Sequence, residues 1–126
     1  MKGREFSVLS NKVIGCTIEV HKILGSGLLE STYQKCLAHE LKMNQIECEA
    51  EYPLSVKYKN IFLDCGYRLD FLVENEIILE LKSVDQLKGI HEAQLLTYMK
   101  LANIKQGFLI NFNVERLKQG LKSFVI

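Results

Sequence analysis

The sequence predicts an α/β or α+β domain in which helices pack on a central sheet. Three segments show the 3.6-residue apolar period of helices, at about residues 8–24, 28–43 and 89–103. Short apolar runs bounded by turn residues are typical of strands, and they lie at residues 46–52, 54–59, 61–73, 77–84, 106–112 and 121–126. With 126 residues, 48% of them hydrophobic and 25% charged, the chain fits one globular domain spanning residues 1–126.

The first two helices are predicted to form an αα-hairpin. Val13, Thr17 and Val20 lie on one stripe of the first helix, and Gly25 is a natural C-cap for it. Because only the short break at residues 25–27 separates this helix from the next, the two are expected to pack side by side.

The strand at residues 46–52 is predicted to lie at an edge of the sheet. Its apolar side chains alternate with Glu47, Glu49 and Glu51, which is the pattern of a half-buried strand with one wet face. Pro53 follows it as the single proline of the chain.

Composition excludes several classes of protein. No apolar run approaches the roughly 20 residues that span a bilayer, and the N-terminal MKGREFSVLS lacks the apolar region of a signal peptide. The four cysteines show no CxxC spacing, so a zinc site is not indicated. A cytoplasmic protein is therefore expected. Residues 82–126 hold 7 basic and 3 acidic residues, a balance of +4, which suits either a polyanionic partner or scattered solubilising lysines.

The hairpin at residues 70–82, DFLVENEIILELK, carries acids where strand interiors are usually apolar. If its turn is the three residues 74–76, Val73 pairs with Ile77. Asp70 then lies opposite Glu80 on the same face, with Cβ atoms about 5 Å apart. Lys82 shares that face, because side chains alternate along a strand. A two-residue turn would shift this register by one.

Two interpretations of this hairpin remain open from spacing alone. Like charges opposite each other destabilise a sheet, and a cation between Asp70 and Glu80 would reverse the sign of the interaction. Mg²⁺ suits such a place, because it takes one or two protein carboxylates and keeps several waters. The other interpretation is a salt-bridge ladder in which Lys82 and Arg68 neutralise the two acids.

Further polar side chains lie on two helices. In the third helix Gln94 and Tyr98 follow His91 on one polar stripe, beside an apolar stripe that includes Leu95 and Met99. Gln94 and Tyr98 suit contact with a phosphate, a base edge or the waters of a metal, or they belong to an ordinary amphipathic helix. Glu30 falls in the first turn of the second helix, where an acid is favourable against the helix dipole in any case.

Several stretches of the chain resemble one protein family. GLLESTY at residues 27–33 matches the pattern that names the GxxExxY proteins, and EVHKILGSG, YRLDFLVENEIILELK and HEAQLLTYMKL also look like that family. The resemblance covers the chain from about residue 10 to its end. The family is similar in turn to the PD-(D/E)XK nuclease superfamily, whose core is a mixed β-sheet that bears D and ExK and is flanked by helices.

The resemblance implies a metal site on the hairpin. Asp70 takes the place of the aspartate of the motif, and Glu80-Leu81-Lys82 matches ExK. In the superfamily the two acids bind the metal, often with the carbonyl of the residue here occupied by Leu81, and the lysine assists the attacking water. An acid of the first core helix commonly joins them, a role that Glu30 fits. One departure is that Asp70 does not follow a proline.

The resemblance also implies a substrate side and a function. The spacing from Gln94 to Tyr98 matches the QxxxY feature of the exonuclease-like branch, which supports substrate contact. The expected protein is a nuclease that uses Mg²⁺ or Mn²⁺ and acts on DNA or RNA. Apart from the resemblance, the size of the chain suits a homodimer, because an isolated site on 126 residues offers little surface for grasping a duplex. The alternative is a catalytically inactive nuclease-like module that binds nucleic acid or a partner protein.

Overall fold

The computed structural model describes residues 7–126, in which three α-helices pack on one five-stranded sheet. The sequence analysis expects no signal peptide in MKGREFSVLS, and residues 1–6 of that segment lie outside the described residues. The helices are α1 (Val8–Leu24), α2 (Glu30–Met43) and α3 (Gly89–Ala102). The strands are β1 (Cys48–Tyr58), β2 (Ile61–Val73), β3 (Ile77–Lys82), β4 (Gln106–Asn111) and β5 (Leu121–Val125), and a 3₁₀ helix, Leu117–Gly120, precedes the last of them.

The strands follow one another across the sheet in chain order, from β1 at one edge to β5 at the other. β1, β2 and β3 form an antiparallel meander, β3 pairs in parallel with β4, and β4 pairs antiparallel with β5. The parallel pair is possible because α3 crosses from the end of β3 back to the start of β4. This mixed sheet with helices on it confirms the predicted α/β or α+β class.

Each face of the sheet buries its own core. One core lies between the sheet and the α1–α2 pair and includes Tyr33, Leu37, Phe71, Phe108 and Phe112. The other lies under α3 and includes Leu54, Leu72, Ile78, Leu95, Tyr98, Met99 and Leu109. The predicted apolar stripe of α3 does face the sheet. Within residues 7–126 no helix combines the length and the apolar content needed to cross a bilayer.

The start of α2 and the division of the first strand were predicted wrongly, the former because of a long-range contact and the latter because of the edge position of the strand. α2 begins at Glu30 and not at residue 28, because the carbonyl of Leu28 accepts a hydrogen bond from Ser83 Oγ (2.6 Å) and Leu29 remains extended. The predicted strands at 46–52 and 54–59 form one strand, β1, that runs through Pro53. Proline is tolerated there because β1 is an edge strand, as predicted.

The end of β4 is held by a close backbone contact and a clamping side chain. A Cβ atom at Gly120 would lie far inside van der Waals contact with the carbonyl oxygen of Asn111, so only glycine fits. The Asn111 side chain accepts a hydrogen bond from Val84 N (3.1 Å) and donates one to Val84 O (2.9 Å). Through this contact the 3₁₀ helix fixes the loop that follows β3.

Replacing Gly120 with alanine should therefore lower the free energy of unfolding by about 1–3 kcal/mol, because the backbone of Asn111 must move. Urea unfolding followed by circular dichroism measures the change. The control is Gly15→Ala on α1, where the added carbon would meet no described atom within 4 Å beyond its chain neighbours and the nearby backbone of its own helix. This second change should raise stability by about 0.5–1 kcal/mol, as alanine does in helices. Wild-type stability of Gly120→Ala would contradict the close contact.

Candidate active site

Asp70 and Glu80 lie across from each other where β2 and β3 separate. The paired residues of the two strands are Val73 with Ile77, Leu72 with Ile78 and Phe71 with Leu79. This confirms the predicted three-residue turn and register. The backbone pairing stops at Phe71 and Leu79, one position short of the two acids, although β2 continues to pair with β1 beyond that point.

The two carboxylates take over the hydrogen bonding that the backbone gives up there. Asp70 N donates to Glu80 Oε2 at 3.0 Å, and Leu81 N donates to Asp70 Oδ2 at 2.7 Å. Each acid thus accepts a hydrogen bond from the strand opposite its own. The second oxygens, Asp70 Oδ1 and Glu80 Oε1, accept none from the described residues. The pair is therefore fixed through one oxygen each and open through the other.

The regular alternation of side chains along β2 breaks at Asp70. Leu69 and Leu72 both belong to the core under α3, whereas Phe71 belongs to the core under α1 and α2. Across from Asp70 on β1, Glu51 has φ +52° and no registered partner on β2. A positive φ is uncommon outside glycine, and such backbone tends to cluster at functional sites.

Burial and mutual repulsion disfavour the ionised forms of both acids. Glu80 is only 5% exposed. Burial and then the charge of Asp70 raise the pKa of Glu80 from 4.5 to about 8. Burial also raises the pKa of Asp70, while the Leu81 N–H and the Lys82 ammonium act in the opposite direction. Two acids so placed share a proton, or a cation, more readily than they carry two charges.

The salt-bridge interpretation of the hairpin is wrong for the described residues. Within them, neither Lys82 nor Arg68 lies at ion-pair distance from Asp70 or Glu80. Arg68 Nη1 lies instead 3.9 Å from Asp64 Oδ1 on the exposed part of β2. Lys82 is close enough for its charge to lower the pKa of both acids, yet it does not neutralise either by contact.

The GLLESTY segment brings Glu30 to this end of the sheet. Tyr33 Oη donates to Gly25 O (2.6 Å) and accepts from Leu28 N (3.2 Å), which ties the α1–α2 loop to the first turn of α2. Glu30 Oε2 accepts a hydrogen bond from Ser83 N at 3.2 Å, just after Lys82. The charge of Glu30 raises the pKa of Asp70 and of Glu80, so it lies within electrostatic range of the pair.

The predicted polar stripe of α3 separates into three different environments. Tyr98 is buried in the core under α3, and burial followed by the charge of Glu80 raises its pKa. Gln94, one turn earlier, is half-buried. His91 caps the helix, since its Nδ1 accepts a hydrogen bond from Lys88 N at 3.0 Å. Tyr98 thus lies near the acid pair, and His91 is accounted for by the helix end.

Three side chains near the pair escaped the sequence analysis. Glu51, whose charge raises the pKa of Asp70, looked like any other glutamate on a wet strand face. Gln34 Nε2 donates to Asp70 O at 3.4 Å from α2, and no local pattern marks it. Asn111 ends a buried strand, and a polar side chain at that place was an available signal.

The donor set suits a divalent metal ion. In the described part of the chain, each of the two carboxylates keeps one oxygen that accepts no hydrogen bond, and Mg²⁺ or Mn²⁺ sites often use only one or two carboxylates beside substrate and water. Within residues 7–126 no group of three Asp, Glu, His or Cys side chains forms a larger cluster. The residues that would hold the ion are Asp70 and Glu80, with the Leu81 carbonyl and Glu30 as the further predicted donors.

The pH dependence of stability should report this acid pair in metal-free protein. Because the folded-state pKa of Glu80 is raised, the folded protein binds more protons than the unfolded chain between pH 4.5 and about 8. The free energy of unfolding should therefore fall as pH rises through that window, by up to about 1.4 kcal/mol per pH unit.

The variant Glu80→Gln should flatten this slope, because its amide still accepts from Asp70 N but does not titrate. Urea unfolding in EDTA at a series of pH values measures both slopes. Glu115→Gln, which changes an exposed acid after β4, should keep the wild-type slope. An unchanged slope in Glu80→Gln would show that another group dominates the titration.

Comparison with known proteins identifies the family of the chain. The family model of the PD-(D/E)XK nuclease superfamily matches residues 7–124. Neither the curated proteins nor the solved structures compared with the chain include a match. The superfamily and its nuclease-like fold, a mixed sheet flanked by helices, are confirmed, and the GxxExxY group stays a prediction. Because the match covers nearly the whole chain, this protein belongs to the PD-(D/E)XK nuclease superfamily.

Proposed function

We propose that this protein is a metal-dependent nuclease that hydrolyses phosphodiester bonds of DNA or RNA with Mg²⁺ or Mn²⁺. The observation that carries the proposal is the buried Asp70–Glu80 pair, which is held in place by backbone donors and has no ion-pair partner among residues 7–126. Such a pair costs stability in the metal-free protein. A site that binds a divalent ion gives this cost a function.

The acids and the neighbouring backbone form the metal side of the proposed site. Asp70 and Glu80 would hold the ion through their open oxygens, with the carbonyl of Leu81 beside them. Glu30 stands at the N-terminus of α2 and would complete the set directly or through a water. When bound, the metal polarises the phosphodiester and lowers the pKa of water.

The remaining predicted residues form the reaction and substrate side. Lys82, a half-buried residue, lies on the same face of β3 as Glu80, and its ammonium would orient the attacking water and stabilise the charge that grows on phosphate. Gln94 and Tyr98 approach from α3, where Tyr98 feels the charge of Glu80, and would contact the substrate. We also propose a homodimer, in which the second copy would add surface around the bound nucleic acid.

Cleavage tests the proposal directly. Wild-type protein with Mn²⁺ or Mg²⁺ should cut labelled DNA or RNA, and EDTA should stop it. Lys82→Ala should lower the rate by at least about 100-fold, in the range for loss of one charged group from an active site. Its fold should be kept, since Lys82 is half-buried and makes no ion pair in the described residues.

The matched control for this change is Lys12→Ala, which removes an exposed lysine from α1. It should leave the rate unchanged. Cleavage that survives both Lys82→Ala and Asp70→Ala would overturn the assignment. Binding of nucleic acid without cleavage and without metal would favour the inactive module instead.

Metal binding can be measured apart from cleavage. An ion that binds only the folded protein should raise the free energy of unfolding, by about 2.7 kcal/mol when free Mn²⁺ is a hundredfold above its Kd. Thermal unfolding with and without Mn²⁺ measures the effect. The double variant Asp70→Asn, Glu80→Gln should lose it, because amides are poor ligands for this ion. If Mn²⁺ stabilises the double variant as much as the wild type, the ion binds elsewhere.

A further inference from the structure

The outer part of the β1–β2 hairpin is an arm that extends beyond the helices. We define the arm as residues 55–68, of which every residue from 57 to 68 is exposed on both strands. β2 leaves β3 at Asp70 and keeps only β1 as a partner, so the arm is a two-stranded ribbon. Two-stranded ribbons are marginally stable alone, and large apolar side chains on one are unusual without a partner.

One face of the arm continues the face of the sheet that α3 covers. Leu54 is buried in the core under α3, and residues 54, 56 and 58 of β1 share a face because side chains alternate. The register shifts between Leu54 and Val56, where two steps along β1 lie opposite the four steps of β2 from Leu63 to Tyr67. Val56 pairs with Leu63, and Tyr58 pairs with Ile61, so these partners lie on that face too. The opposite face carries Phe62 paired with Lys57. The face that continues from α3 is therefore aromatic and aliphatic along its length.

The arm is basic as well as apolar. It carries Lys57, Lys59 and Arg68 against the single acid Asp64, a balance of +2. Lys59 Nζ lies 5.6 Å from the ring of Tyr58, where it adds a cation to the same exposed aromatic side chain. Aromatic rings interleaved with cations suit a polyanion that also offers planar bases.

The apolar face of the arm leads to the candidate active site. Tyr67, opposite Leu54 at the base of the arm, contacts Tyr98 with ring centroids 5.9 Å apart. Tyr98 lies on α3, and the charge of Glu80 is one of the causes that raise its pKa. The four steps along β1 from Leu54 to Tyr58 span about 13 Å at 3.3 Å per residue. About four stacked nucleotides cover that distance at 3.4 Å each.

We propose that the arm is a platform for single-stranded nucleic acid, on which unpaired bases stack against Tyr58 and Tyr67 and are led to Asp70 and Glu80. The proposal rests on the proposed nuclease function for the direction of the strand, and it adds the class of substrate. A duplex hides the faces of its bases, whereas a single strand offers every base to an aromatic ring. Two copies of the arm packed together would bring like charges close, which disfavours self-association through this face.

Fluorescence anisotropy with the full chain tests the platform without any cleavage. The probes are a fluorescein-labelled 20-nucleotide oligodeoxythymidine and a labelled 20-base-pair DNA duplex, both in EDTA. Wild-type protein should bind the single strand at least tenfold more tightly than the duplex, and its affinity should fall as salt rises. Equal affinity for both probes, or no binding of the single strand, would overturn the proposal.

Three variants locate the binding face. Tyr58→Ala and Tyr67→Ala should each raise Kd for the single strand by about 5- to 100-fold, the effect of losing one stacked base. Phe62→Ala is the matched control, because its ring is 71% exposed but lies on the opposite face. Tyr58 is 60% exposed, so its variant should fold even if loss of the Tyr67–Tyr98 contact disturbs the other. A wild-type Kd for Tyr58→Ala, or an equal loss in Phe62→Ala, would overturn the assigned face.

The outcomes separate this proposal from the nuclease proposal. Single-strand binding that depends on Tyr58, without cleavage in Mn²⁺, would support the platform and count against the nuclease. Cleavage that depends on Lys82, together with wild-type binding by Tyr58→Ala, would support the nuclease and count against the platform. Light scattering adds one further outcome: a dimer that Tyr58→Ala converts to a monomer, with no affinity for the oligonucleotide, would make the arm a self-interface and overturn the platform.

Discussion

Two hydrogen bonds between carboxylates and the backbone of the opposite strand stabilise the point at which β2 separates from β3. Asp70 N donates to the Glu80 carboxylate, and Leu81 N donates to the Asp70 carboxylate. These contacts take the place of the next rungs of the β2–β3 ladder. Because they satisfy the backbone there, β2 is able to part from β3 and continue with β1 alone. The site and the arm therefore arise from the same local event.

The same event explains the electrostatic character of the site. A strand end that used backbone carbonyls as acceptors would be neutral, whereas this one buries two acids facing each other. Burial and mutual repulsion raise the pKa of both. The metal-free protein thus gives up stability at neutral pH through this acid pair.

The sequence predicted the parts of the molecule that depend on neighbouring residues. The Val73–Ile77 turn fixed the register, and the register placed Asp70 opposite Glu80, because both steps involve residues within one hairpin. The start of α2 was predicted two residues early, since the backbone of Leu28 bonds to Ser83 from 55 positions away. Periodicity contains no information about such partners.

Parts of the candidate site were also beyond prediction for the same reason. Gln34 reaches the backbone of Asp70 from another element, and Glu51 depends on an irregular backbone that its alternating neighbours did not signal. The resemblance named Glu30, Gln94 and Tyr98 as candidates, but only the packing of α3 distinguished a buried tyrosine beside the acids from a half-buried glutamine one turn away.

The short turn between β2 and β3 has a consequence for the order in which the site assembles. The two hydrogen bonds of the acid pair join residues that are 10 and 11 positions apart in the sequence. The hydrogen bond between Glu30 and Ser83 joins residues that are 53 positions apart. The entropy lost in closing a loop grows with its length, so the hairpin is the least costly of these contacts to form. On this ground we expect the repulsive pair to form before its helical neighbours arrive. Apolar partners such as Phe71 and Leu79 must hold the hairpin together until they do.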